Sequence, residues 1–132
     1  MHSSVLTRWN KLMAEIRERV AGSGAESPVE AERQLSAVLA RLDDPAAIAM
    51  LLDDLCTPSE RRALAERWHV ARLLDEERWT YRQIHELTGV STTTITRVAR
   101  FLKGGTAGGY RTALAAMNEA ATNEATIDRD EQ

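Results

Sequence analysis

The stretch Thr80-Tyr81-Arg82-Gln83-Ile84-His85-Glu86-Leu87-Thr88-Gly89-Val90-Ser91-Thr92-Thr93-Thr94-Ile95-Thr96-Arg97-Val98-Ala99-Arg100-Phe101-Leu102-Lys103 decides the fold. Thr80 followed three residues later by Gln83 is a capping box: the hydroxyl takes an orphan backbone N–H and the amide reaches back. The spacing predicts a short helix over 81–88. Gly89, lacking a Cβ, suits a left-handed helix stop, and Ser91 is the cap of a second helix running to about Leu102. Ile84, Leu87, Val90, Ile95 and Val98 supply the apolar contacts that lock two such helices at a steep angle. This is the pattern of a helix-turn-helix.

With Val90, Ile95 and Val98 facing inward, Thr92, Thr93, Thr96, Arg97, Arg100 and Lys103 are left to the other faces. Short hydroxyl side chains at the start of the second helix, with its cap Ser91, suit close approach to base edges, and a helix N-terminus attracts phosphate. Charge agrees. From Arg78 to Lys103 five basic residues (78, 82, 97, 100, 103) stand against Glu86, a local balance of +4. From Glu26 to Glu60 eight acids stand against Arg33 and Arg41, a balance of −6. Charged residues usually form solvated helix faces, but here they accompany a turn glycine, two caps and an apolar lock, which together point to double-stranded DNA.

Outward from this stretch, the three prolines sit where helices begin. Ser27-Pro28-Val29-Glu30 and Thr57-Pro58-Ser59-Glu60 read as further capping boxes, and Asp44-Pro45 repeats the logic without the Glu. Helix starts near 28, 45 and 58 follow. On the helix from Pro58, Leu64, Trp68 and Ala71 share one face while Ala63, Val70 and Leu74 share another, an apolar arc broad enough to lie between two chains. Trp68 reads as core or dimer interface and Trp79 as a plug at the entry to the helix-turn-helix. Ahead of these, Leu6, Trp9, Met13, Ile16 and Val20 put one apolar stripe on a helix from about Ser4 to Val20. Whether it packs on its own chain or on a second one stays open. Residues 1–27 thus hold an amphipathic helix and a Gly/Ser linker, 28–117 a DNA-binding domain, and 118–132 a polar, acidic tail expected to be disordered.

The 132 residues suit a single compact domain, with low Gly and Pro favouring an all-helical chain and few aromatics giving a thin aliphatic core. Such a core is often completed by dimerising. The net charge of −3 speaks against nucleic acid only until it is resolved along the chain. No apolar run reaches the roughly 18 residues of a membrane span, and the apolar pattern of Met1 to Met13 carries Arg8 and Lys11 within it, unlike a signal peptide. The chain reads as cytoplasmic. Cys56, the single cysteine, reads as a buried small hydrophobe, and three histidines without ligand spacing suggest no metal or cofactor. No nucleophile, base and orienting acid stand at a plausible spacing, so an enzyme is not expected.

Asp53-Asp54-Leu55-Cys56-Thr57, Glu66-Arg67, Thr80, Thr88-Gly89-Val90-Ser91-Thr92-Thr93-Thr94-Ile95-Thr96-Arg97-Val98 and Gly108-Gly109-Tyr110 occur in the order of a known pattern. On these residues the chain resembles the Trp repressor family, especially its Trp-repressor-like YerC/YecD branch, over about Glu32 to Met117. The resemblance implies an all-α, intertwined homodimer whose helix-turn-helix units reach successive major grooves of a palindromic operator. It implies that Arg82 contacts a guanine, that His85, Thr92, Thr93 and Thr96 face DNA, and that Lys103 faces phosphate. His85 reads equally well as an exposed helix residue.

The family's effector pocket has counterparts in Thr57, Arg67, Thr94 and Arg97, with the two arginines placed to sandwich an indole. Val98 stands where the family has a glycine and Phe101 where it has a serine, so both are expected to fill that space. Free tryptophan is therefore not expected as the effector. A tryptophan-responsive repressor and a helical protein-interaction module remain as alternatives.

Overall fold

A computed structural model describes residues 2–21 and 27–130. All its elements are helices: α1 (His2–Ala21), α2 (Pro28–Arg41), α3 (Pro45–Leu55), α4 (Pro58–Asp75), α5 (Tyr81–Thr88), α6 (Thr92–Gly104) and α7 (Gly109–Asp130). Five of these begin at the residue that their caps predict. Thr57 and Glu60 close a full capping box on α4, the Thr57 N–H donating to Glu60 Oε1 at 3.0 Å and the Glu60 N–H to Thr57 Oγ1 at 3.2 Å. Thr80 and Gln83 do the same for α5. Ser27 accepts from the Glu30 N–H, but the Glu30 carboxylate turns 3.5 Å from Arg33 rather than back to the cap. Asp44 Oδ1 accepts from the Ala46 N–H at 3.0 Å.

The chain divides into two units, residues 1–51 and 52–132. The division falls within α3, whereas the composition of the sequence sets its boundary at the Gly/Ser linker. Residues 22–26 of that linker, and the side chain of Val20, lie outside the described residues.

In residues 1–51, Trp9, Leu12, Met13 and Ile16 of α1 are half-buried, while Val5 and Leu6 are exposed. Neither α2 nor α3 buries a residue. In residues 52–132 lies the core of the described chain: Val70, Ala71 and Leu74 of α4, Ile84 of α5, Val90 of the following turn, Ile95, Val98, Ala99 and Leu102 of α6, and Leu114 of α7. Trp68, Leu73, Trp79 and Tyr110 pack against it. Leu64, on the other side of the predicted arc of α4, stays exposed.

The junction from α4 to α5 is a polar knot. Glu76 accepts from the Trp79 indole N–H at 2.7 Å and from Arg78 Nε at 3.0 Å, and the Arg78 guanidinium lies 4.5 Å over the indole. Glu77 takes the left-handed conformation, φ +57°, that ends α4. After α6, Gly105 packs so closely on the Phe101 carbonyl oxygen that an added Cβ would collide with it. Gly105, at φ −70° and ψ 136°, leaves the helix with its N–H donating to that oxygen at 3.1 Å.

The end of the chain corrects one expectation. Residues 118–130, expected as a disordered tail, continue α7 as helix with every side chain exposed. The sequence lacks a core-facing stripe there, which motivated the expectation. It also lacks Gly and Pro from Tyr110 to Asp130 and is rich in alanine, so local propensity carries the helix.

Candidate nucleic-acid interface

The turn between α5 and α6 is fixed by three hydrogen-bonding residues. Gly89, at φ +74°, donates its N–H to the His85 carbonyl at 2.8 Å. The Thr88 hydroxyl donates to the Ile84 carbonyl at 2.7 Å and accepts the Val90 N–H at 3.1 Å. His85 Nδ1 lies 2.6 Å from the Val90 carbonyl oxygen. With Val90 buried between the helices, its backbone groups are satisfied by side chains on α5 rather than by water. The turn is thereby held from both ends.

Burial then orients α6. Ile95, Val98, Ala99 and Leu102 face the core, and Thr92, Thr93, Thr96, Arg97 and Arg100 line one open concavity. Arg100 and Lys103 have no acidic partner among the described residues, and Lys103 is exposed in the last turn. Arg97 lies with its guanidinium 5.4 Å from the Phe101 ring centre. The Thr96 hydroxyl donates back to the Thr92 carbonyl at 2.9 Å. Ser91 is committed to its helix: Oγ accepts the Thr94 N–H and donates to Thr94 Oγ1. On α5, the Arg82 side chain is 89% exposed and its Nε sits 3.3 Å from Glu86. An exposed pair of this kind contributes little, so Arg82 is free to exchange Glu86 for another acceptor.

The residues singled out as an effector pocket lie on α4 and α6 or at the cap of α4. The Thr57 hydroxyl serves the capping box of α4. Thr94 is tied to Ser91, Arg67 is half-buried, and Arg97 belongs to the α6 concavity. Val98 is buried in the core, as its size suggests. Phe101 departs from expectation: it fills no interior space, but is 48% exposed beside the loop from Gly105 to Tyr110. The reason is its register on α6, one residue and so about 100° round the helix from the buried Leu102, at the edge of the packed face.

Two functional side chains escaped the sequence reading. Thr88 bridges the turn, a role that a hydroxyl directly before a left-handed glycine can signal. Glu76 anchors Trp79 through a contact that no local pattern announces. Among the described residues no group of three His, Cys, Asp or Glu could hold a metal ion, and no helix is long and apolar enough to cross a membrane. Cys56 is half-buried.

Known proteins are similar to this chain in sequence and fold. The Trp repressor protein family matches residues 31–118. YerC of Bacillus subtilis (strain 168), itself uncharacterized, is 47% identical over 70 residues, which are 53% of this chain and 65% of YerC; the chain thus spans just under two thirds of that relative. The solved structure of a proposed Trp repressor from Staphylococcus aureus superposes with a TM-score of 0.61 at 32% identity, covering 70% of this chain and 96% of that one. A TrpR-like protein from Eubacterium eligens ATCC 27750 gives 0.59 at 35% identity, covering 70% and 92%. The family consists of regulatory DNA-binding proteins, not enzymes. By its sequence over residues 31–118 and by its helical fold, this chain belongs to the Trp repressor family.

Proposed function

We propose that the protein is a sequence-specific regulator of transcription, a repressor that binds a palindromic operator in double-stranded DNA as a homodimer. One observation carries the reading: α6 presents three threonines and two arginines on a single open face, behind a turn that holds it rigidly to α5. In this reading residues 28–117 form the DNA-binding domain. Arg82 reads a guanine, since bidentate Arg to guanine is the commonest specific contact. Thr92, Thr93 and Thr96 approach base edges, Ser91 holds the helix start against the backbone, and Arg100 and Lys103 meet phosphates.

The homodimer is supported by exposed apolar residues, among them Leu35, Met50, Leu55 and Leu64. A symmetric second copy would present the same residues in return. Control by free tryptophan is not part of the proposal. Val98 is packed in the core, and Thr57 and Thr94 have their hydroxyls engaged in helix caps. Tryptophan titrated into the protein in a calorimeter is expected to give no heat of binding; micromolar binding would restore it as effector.

Selection of bound sequences from random DNA tests the main reading, and the expected result is a palindrome. Arg82→Ala should relax preference at one position of each half-site by about 1 to 3 kcal/mol, whereas Lys103→Ala should weaken all sequences alike and reduce the salt slope by about one. A helical protein-interaction module is the second reading. Its binding would be nearly indifferent to ionic strength, whereas contacts to DNA phosphate weaken steeply as salt rises.

A further inference from the structure

We infer that His85 reads an exocyclic amino group in the major groove, adenine N6 or cytosine N4, by accepting its hydrogen bond at Nε2. The inference rests on the DNA-binding reading above and adds to it the chemistry of one base position. It starts from the 2.6 Å contact between His85 Nδ1 and the Val90 carbonyl oxygen. A carbonyl oxygen can only accept, so Nδ1 carries the hydrogen and donates it. In a neutral imidazole the other nitrogen then holds a bare lone pair. The ring geometry directs Nε2 away from Val90. His85 is exposed and Nε2 has no partner among the described residues.

That outward lone pair decides what His85 can meet. In the neutral ring it has nothing to donate to a phosphate oxygen, to O6 or N7 of guanine, or to O4 of thymine. In the major groove it matches adenine N6 and cytosine N4, which are the donors there. His85 lies three residues after Arg82, so both belong to one side of α5. The same ring anchors Val90, the residue that leads into α6. A side chain whose tautomer is set by the turn, and whose free atom faces outward, is a preorganised acceptor.

Two measurements test this. Nitrogen-15 spectra of the neutral imidazole should show the Nδ1–H tautomer; an Nε2–H tautomer, or a ring that stays protonated on DNA, overturns the inference, and this needs no variant. Selection from random DNA should give the wild type an A or C preference at one half-site position distinct from that of Arg82. His85→Ala should lower that preference by about tenfold, beyond any loss common to all sequences from the loosened turn, and His85→Lys should replace it with a base bearing an acceptor. Thermal unfolding of both variants checks that the turn survives without its anchor. An unchanged preference in both variants, or a uniform loss of affinity of the kind expected from a phosphate contact, sinks the inference while leaving the regulator reading intact. Failure of the wild type to enrich any sequence brings down both.

Discussion

Residues 52–132 bury ten apolar side chains, while residues 1–51 bury none among those described, although both are built of amphipathic helices with good caps. Pro28 and Pro45 start helices as surely as Pro58 does. Caps and propensity therefore fix where a helix begins, and burial is a separate matter that depends on what the apolar stripe meets. In α6 the stripe meets α4 and α5. In α1, Trp9, Met13 and Ile16 are only half covered, and in α2 and α3 the apolar residues Val29, Leu35 and Met50 remain exposed. Unit 52–132 has its own core, and the apolar residues described in unit 1–51 are half-buried or exposed; the proposed second copy would cover them.

The sharpest way to break this contrast is truncation. Ile95, fully buried, should cost about 2 to 5 kcal/mol as Ile95→Ala. Met50, 68% exposed, should cost within about 0.5 kcal/mol as Met50→Ala when the protein is dilute enough to be monomeric. Denaturant unfolding measures both. Raising the concentration should leave the Ile95 loss unchanged and enlarge the Met50 loss, because association stabilises by mass action. Equal losses at the two sites in dilute protein would mean that residues 1–51 hold a core of their own.

A smaller effect of opposite sign is expected where the core unit is locally strained. Glu77 is the non-glycine residue with positive φ among those described, and it ends α4 in the conformation that favours glycine. Glu77→Gly should therefore stabilise the protein by about 1 kcal/mol. A loss of stability on thermal unfolding would show that the Glu77 side chain, not its backbone, matters at this turn.

The same two regions explain what could be read from the sequence. Helix starts at 28, 45, 58, 81 and 92 were legible because caps and prolines act through local hydrogen bonds. Ile84, Val90, Ile95 and Val98 were legible as core because their periodicity has one solution once Gly89 breaks the chain. Leu87, assigned to that lock, is instead 57% exposed. Ile84 takes the buried position on α5 and Leu87 stays at its exposed flank. Phe101 and the helix over 118–130 escaped for related reasons. Whether an aromatic residue packs inward depends on a neighbour distant in sequence, and a helix without a stripe leaves no periodic trace. His85 was legible as a residue facing outward, but its bond to Val90 exists only once the turn is closed.

The last and smallest expected effect is electrostatic, and it belongs to the core unit's two carboxylate anchors. The Glu60 carboxyl is held below its ordinary value first by the Thr57 backbone N–H and then by the Thr57 hydroxyl. That of Glu76 is lowered first by the Trp79 indole N–H and then by Arg78. A carboxyl whose value falls on folding contributes stability that is present above its ordinary value, near 4.5, and is lost as the pH drops through the lowered one. Both groups lie at the surface, so the loss should be slight. It should nonetheless be visible at the indole. The Trp79 N–H resonance is expected to shift with a midpoint below the ordinary carboxyl value as Glu76 takes up a proton, and the Glu76→Gln variant should abolish that titration. A midpoint at or above the ordinary value would mean that Trp79 is seated by the core alone. The anchor of α5 would then be apolar packing against α4, and the polar knot before Thr80 would have no part in holding the turn that presents α6.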